Sequence, residues 1–572
     1  MNLGNLKKSK KVVVIFSLLF VVFITASWVV FSGNEEAAEK QEDSSEDMRD
    51  KGQVVPPENG GEENDLDETA KRELEWKEKE ASLREELGKF FVPLPSLEEL
   101  EEEPSQVKAR GVYLTGHTAG RESRLDHFIE LANTTELNSL VIDVKDDHGH
   151  VTYPSNIDFV EEINADRKAP ISDLQELVDE LHQNDIYTIA RVVVFKDSFL
   201  PEKYPEWAIQ RKNGEGIWRD SSNHGWVNPY QKEIWDYNIA VAKEAALMGF
   251  QEIQFDYVRF PDDARNIEEE VSYPGNDDAP KDQNIAEFLE YARSRLDNYN
   301  VHISADTFGV IATSWGDSDD IGQTWEKIAP LVDYHSPMIY PSHYGYGYFG
   351  LEVPDAHPEK TVTRALEDSL KRNAPIEEPG IIRPWLQAFT APWIRGNISY
   401  GPEEIRKQIE AAYKLGIEEY LLWNPGNSYP EAAFISEEET EEMIERFEKQ
   451  REEKGHDALG HSPQDATEKF LEGVKTSDWR EAYYFHSTDF GKDHHQYEEW
   501  KDNWVPQIED YEISTYDQQG SRGKVEIDVS LQYEDETYDL EDQSWEVVME
   551  NKLWRVIPST EFLEKLEGNF PH

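Results

Sequence analysis

Between Ala109 and about Ser436, eight strand-like runs alternate with amphipathic helical stretches, a pattern few folds accommodate. The runs fall at residues 110–115, 139–145, 187–194, 252–260, 302–306, 334–340, 382–389 and 419–424. Helical periodicity occupies intervening stretches such as 171–184, 231–248, 285–299, 361–373 and 402–415. Eight strand–helix units over about 330 residues predict an α/β fold, a (β/α)8 TIM barrel. Loop lengths agree. Links from helix into strand are short, as at 247–250 and 415–417, whereas links from strand into helix are long. The long links after strands three to six hold Trp207, Trp218, Trp226, Trp315, Tyr344, Tyr346 and Tyr348. In such a barrel the long loops share one end, and that end carries the site.

The remainder of the chain divides around this unit. Lys7, Lys8, Lys10 and Lys11 precede an uncharged run long enough to cross a bilayer, which predicts a cytoplasmic tail at 1–11 and an uncleaved signal anchor at 12–32. A cleaved signal peptide fits less well, because Trp28, Val29, Val30 and Phe31 continue the apolar run past the small residues. The expected location is the cell membrane, single-pass, with the bulk of the chain extracellular. Residues 33–107 read as an acidic disordered or helical tether, with a solvated helix over 67–90. The barrel spans 108–436, and a charged helical linker follows at 437–461. Residues 462–572 begin as a helix and continue as alternating strands at 524–531, 544–549 and 553–557, predicting a small α+β domain. Its order of elements resembles the cone-shaped NTF2-like accessory domains of bacterial envelope proteins, and its protein partner is left open.

Composition removes several functions. With no Cys, the chain can form neither disulfides nor thiolate metal sites. A net charge of -61 argues against a nucleic-acid partner, since phosphate binding relies on clustered Lys and Arg.

Chemistry concentrates where the strands end. Asp256 lies in a strand whose alternation sets Gln254 and Asp256 on one face and Ile253 and Phe255 on the other. A buried carboxylate must be paired or used, and Arg259, three residues on, is the nearest partner in sequence. A structural Asp–Arg pair and a catalytic carboxylate are equally good readings of that fragment. Around it gather Asp143 and Lys145 from strand two, Arg191 from strand three, Asp306 from strand five, Tyr340 and His343 after strand six, Gln387 from strand seven, and Trp423 with Asn424 from strand eight. Carboxylates on neighbouring strands, ringed by aromatics, suit glycosidic cleavage: one attacks or activates water, the other protonates the leaving oxygen. Asp256 beside a cation suits the nucleophile, and Asp306, with no adjacent cation, suits the acid. Asp143 is the reserve, although a Lys145–Asp143 pair binding sugar hydroxyls fits as well.

The runs Gly111–Thr115, Val141–Asp146, Phe255–Pro261 and Leu422–Pro425, above all Phe255-Asp-Tyr-Val-Arg-Phe-Pro261, resemble a bacterial family of glycosyl hydrolase domains, barrels distantly similar in layout to the α-amylase type. That resemblance, covering 108–436, implies a polysaccharide substrate and a nucleophile at the end of strand four, where Asp256 lies. It departs at strand five, where amylase-like barrels carry Glu and this chain has Asp306.

The leading expectation is a membrane-tethered extracellular glycoside hydrolase acting on a cell-wall or capsular polysaccharide, its loop aromatics stacking on sugar faces. It needs no cofactor and no metal. The alternative is a non-catalytic glycan-binding wall protein that keeps a hydrolase-like groove. A metal-dependent deacetylase using Asp146, Asp147, His148 and His150 is the weakest option, because that stretch reads as a Gly-containing surface turn.

Overall fold

The computed structural model describes residues 68–98, 100, 106–262, 264–276, 279–487, 507–533 and 536–566. The expected cytoplasmic tail and anchor lie outside the described residues, among which no helix is long and apolar enough to cross a membrane.

Eight parallel strands form the barrel: β1 (Arg110–Leu114), β2 (Ser139–Lys145), β3 (Tyr187–Val193), β4 (Glu252–Asp256), β5 (His302–Phe308), β6 (Tyr334–Ile339), β7 (Trp385–Gln387) and β8 (Tyr420–Trp423). Each pairs with the next, and β8 pairs with β1 to close the ring. The expected fold is therefore present, with two strands several residues shorter than the sequence suggests. Strand four stops at Asp256 because Tyr257 turns into the left-handed region at φ 49°. Strand seven is broken by Arg383-Pro384, leaving Ile381–Ile382 on β6 ahead of β7, since proline offers no N–H to the ladder.

Helices such as Leu174–His182, Lys232–Leu247, Lys281–Leu296, Pro358–Asn373 and Pro402–Lys414 coat the barrel. Outward residues of the strands meet them: Phe255 packs edge-on to Phe288, and both are fully buried. The inward residues are unusually polar, with Arg191, Gln254, Asp256, Ser304 and Asp306 all buried.

The packed body begins upstream of Lys108. Helix Glu68–Leu87 is mostly exposed, but Phe90, Val92 and Leu94 join the barrel's apolar core. Tyr299, in the link into β5, donates its hydroxyl to the Val92 and Pro93 carbonyls, so this segment lies at the helix-to-strand end.

A capped helix, Glu437–Lys454, leads from the barrel to helices Pro463–Thr476 and Trp479–Tyr484 and a four-stranded antiparallel sheet. Its strands are β9 (Gln507–Gln519), β10 (Arg522–Tyr533), β11 (Glu536–Glu550) and β12 (Leu553–Ile557), joined in sequence order. Register shifts in the β9–β10 and β10–β11 pairs are the irregularities that bend a sheet. Phe470, Trp545, Trp554 and Phe562 fill its separate core. This α+β domain touches the barrel at helix-to-strand links, Arg555 donating to the Ala374 carbonyl at 2.8 Å and Lys552 to Gly416 at 2.6 Å.

Candidate active site

The ladder itself sets the central geometry. Phe255 of β4 pairs with Ala305 of β5, so Asp256 and Asp306, one residue further on each, are neighbours on the inner face. Arg191 reaches them from β3. Its Nε and NH2 donate to Asp256 Oδ2 at 2.9 and 2.5 Å, while NH1 donates to Asp143 Oδ1 at 2.5 Å. The Tyr257 amide, aimed by its left-handed backbone, donates to Asp256 Oδ1 at 2.5 Å. Both oxygens of Asp256 are thus fixed, with lone pairs left over on Oδ1.

Asp306 has a different environment. Its Oδ1 accepts from Trp385 Nε1 at 2.7 Å, and no cation is bonded to it. Burial, and then the charge of Asp256, push its pKa well above the ordinary carboxylate range, against the pull of Trp385 and Arg191. Burial also pushes Asp143 up to about 6, although Arg191 and the Tyr113 hydroxyl at 2.5 Å pull the other way. Behind this network Tyr113 stacks on Trp423 at 4.0 Å, and Arg191 lies over Trp423 at 5.1 Å.

Asp256, Asp306 and Arg191 open on a cavity of about 280 Å3 at the barrel mouth. Of the residues expected there, Arg259, Tyr340, His343 and Trp423 line it as well, and Tyr257, Phe308, Met338, Tyr344 and Trp385 complete much of its wall.

Several expectations are corrected. Arg259 is not the partner of Asp256; it pairs with Asp262, donates to the Phe260 carbonyl and lies 4.4 Å over Phe308. The turn at Tyr257 carries it away, and a cation from another strand takes the place beside Asp256. Lys145 does not pair with Asp143. A register shift between those residues sends it, fully buried, to Asp197 at 3.0 Å and the Val193 carbonyl at 2.8 Å. Asp143 stands behind Arg191 rather than on the cavity wall. Gln387 spends its amide on Asp355, Phe389 and the Ser342 N–H, and Asn424 spends its own on Ala388, Ser428 and the Gly426 N–H. Both hold loops together.

Most of the loop tryptophans pack inside the loops. Trp218 and Trp226 are buried with Ile209 and Val271, Trp207 stacks on Tyr204 at 4.3 Å, and Trp315 lies between Arg372 and Arg480. Trp385 was missed, yet it shares the parity of Gln387 on β7, which was the available signal.

The Asp146–His150 stretch is a turn. Asp146 Oδ1 accepts from the amides of His148 and His150 at 3.0 and 2.9 Å, and the same arrangement recurs from Asp220 to His224 and from Asp457 to His461. Gly149, at φ 87°, presses on Asp197: a Cβ there would lie 2.1 Å from its Oδ1. Among the described residues no group of three or more His, Asp or Glu is placed to hold a metal ion.

Comparison with solved structures finds likenesses over a wide range of identity. A hypothetical protein from Ruminiclostridium thermocellum is 45% identical over 34% of this chain and 96% of its own, with a TM-score of 0.31. The PgaB (BpsB) glycoside hydrolase domain from Bordetella bronchiseptica is 13% identical over 56% of this chain and 94% of its own, at 0.40. The spore cortex-lytic enzyme SleL of Bacillus megaterium is 13% identical over 60% and 75%, at 0.34. No curated protein matches the chain. A family model does match, over residues 111–429, the span that holds all eight barrel strands but the first residue of β1 and the whole of the cavity wall, and by that match the chain belongs to the family described as "Putative glycosyl hydrolase domain".

Proposed function

We propose that this protein is a glycoside hydrolase in which Asp256 is the nucleophile and Asp306 the proton donor. One observation carries the reading: two neighbouring carboxylates share a cavity, one bonded to a guanidinium and the other buried without one. An Asp256 oxygen attacks the anomeric carbon as the glycosidic C–O bond breaks, and the leaving oxygen takes the Asp306 proton. Water then gives that proton back to Asp306 while its oxygen cleaves the glycosyl ester. Adjacent strands stand roughly 4.8 Å apart, which favours the close carboxylate pair of retaining enzymes over the wider inverting one.

Tyr340, His343, Arg259 and Trp423 would hold the sugar. We further infer a membrane-tethered, extracellular enzyme acting on a cell-wall or capsular polysaccharide, from the lysine-flanked apolar run at 12–32. The C-terminal domain would be an NTF2-like accessory module.

The test is turnover of soluble and wall polysaccharides and of aryl glycosides by the full chain, the Asp256→Asn variant and the Asp306→Asn variant. Asp256→Asn should abolish turnover of every substrate. Asp306→Asn should spare activated aryl glycosides, which need little protonation, with azide restoring activity and product-anomer NMR showing retention. Hydrolysis that survives in Asp256→Asn would refute the assignment, and glycan binding with no hydrolysis by the parent chain would make the barrel a binding module.

A further inference from the structure

We propose that Phe389 and Trp393, on the loop after β7, form a second sugar-binding subsite that continues the cavity outward, so that the substrate is a glycan chain cut internally. This rests on the glycosidase reading of the cavity.

Aromatic contacts run unbroken from the cavity wall to the surface. Tyr340 and His343, both lining the cavity, lie 5.9 and 6.5 Å from the ring of Phe389. Phe389 in turn faces Trp393 at 6.2 Å, with the two planes 22° apart. Trp393 is 65% exposed. Tyr346, on the preceding loop, is 63% exposed, and its hydroxyl accepts from the Arg395 amide at 3.0 Å and donates to the Arg395 carbonyl at 3.2 Å.

That exposure belongs to a cross-tied loop. Ile394 donates to the Ala391 carbonyl, Asn397 to Ile394, and the Tyr400 amide to Thr390 Oγ1. The large ring is therefore held out in water by a built scaffold, although its burial would be favourable. Exposed apolar surface held this way marks a binding site. Pyranose rings present flat C–H faces, which suit the faces of Phe389 and Trp393, with polar edges left in solvent. Size argues the same way. A cavity of about 280 Å3 sits at the small end of ligand pockets and holds roughly one sugar ring, so the rest of a chain must lie over the rim.

The test compares full-length parent and Trp393→Ala on a polysaccharide the parent hydrolyses and on the aryl glycoside of the same sugar. The variant should lose at least about tenfold in kcat/KM on the polymer and less than about twofold on the aryl glycoside. Early products from the parent should be mid-length chains. Equal losses on both substrates, no loss on the polymer, or release of monosaccharide alone would overturn the proposal. Should the parent hydrolyse nothing, migration through native gels containing glycol chitosan or hydroxyethylcellulose reads the subsite separately. Retardation lost in Trp393→Ala upholds the subsite without the hydrolase, and migration that Trp393→Ala leaves unchanged refutes it.

Discussion

Two buried charge networks stand at opposite ends of the same barrel. At the lower end Arg383 reaches Glu252 and Glu419, and Glu252 also accepts hydroxyls from Tyr187 and Ser304. At the upper end Arg191 reaches Asp143 and Asp256, and Asp143 accepts the Tyr113 hydroxyl. The parts are alike: one guanidinium, two carboxylates and a tyrosine. A shifted pKa does not separate them either, because burial pushes Glu419 up to about 7, against the pull of Arg383. Two things do separate them. The upper network has a third carboxylate, Asp306, with no cation bonded to it, and Asp256, Asp306 and Arg191 face one cavity together, whereas at the lower end only Glu419 borders a cavity, while Glu252 and Arg383 are sealed at 0% exposure. Pairing alone accounts for buried charge; a carboxyl in excess of the pairing, beside open space, marks chemistry.

The sharpest way to break this contrast is Asp256→Asn, which should lower turnover by about 10^4-fold or more per folded molecule, a loss that no shift of the urea midpoint accounts for. At the lower end Glu252→Gln should do the reverse. Removing the nearer partner of a sealed pair leaves Arg383 with Glu419 alone, at 3.7 Å, and costs ~3–5 kcal/mol in urea unfolding, with kcat per folded molecule unchanged. An activity loss at Glu252 exceeding its stability loss would erase the distinction between the two ends.

A smaller effect tests the third carboxylate. Because the fold raises the Asp306 pKa, the folded chain keeps that proton after the unfolded chain has released it. Stability is therefore lost as pH rises above ~4, at about 1.4 kcal/mol per unit, until Asp306 ionises in the fold. Asp306→Asn removes that loss, so variant and parent should match in acid and diverge toward neutral pH, with the variant more stable. Urea unfolding across pH checks it, and parallel curves would contradict the raised pKa.

The smallest effect is expected from Trp385→Phe. Its N–H favours the charged form of Asp306, so losing it raises that pKa further. The basic limb of the kcat/KM profile should move to higher pH, with kcat changed by less than about tenfold. A limb moving to lower pH would take the acid role from Asp306.

Much of this was legible in the sequence, for reasons tied to period and parity. Strand alternation put Asp256 and Gln254 on the inner face, and they are there. The long loops lie at the end of the barrel where the cavity opens. What stayed hidden were contacts made between strands. Arg259 is three residues from Asp256 yet pairs elsewhere, because one left-handed residue between them redirects the chain. Arg191, which takes the partner's role, is 65 positions away in sequence from Asp256. Lys145 had the right parity, but a register shift cancelled it. Upstream, the short apolar run of Phe90, Val92 and Leu94 was hidden by acidic neighbours, though these residues pack into the barrel's core.

The seat of Gly149 against Asp197 bears on how a mutational scan of this chain would look. Any side chain at Gly149 must displace Asp197, whose other oxygen holds Lys145, and Lys145 ties down the Val193 carbonyl two residues beyond Arg191. Gly149, Asp197 and Lys145 would thus score as intolerant as Asp256 and Asp306, although none of the three lines the cavity. A tolerance map read without the coordinates would draw the site one loop too wide, toward the histidine turn, and invite a search for a metal there.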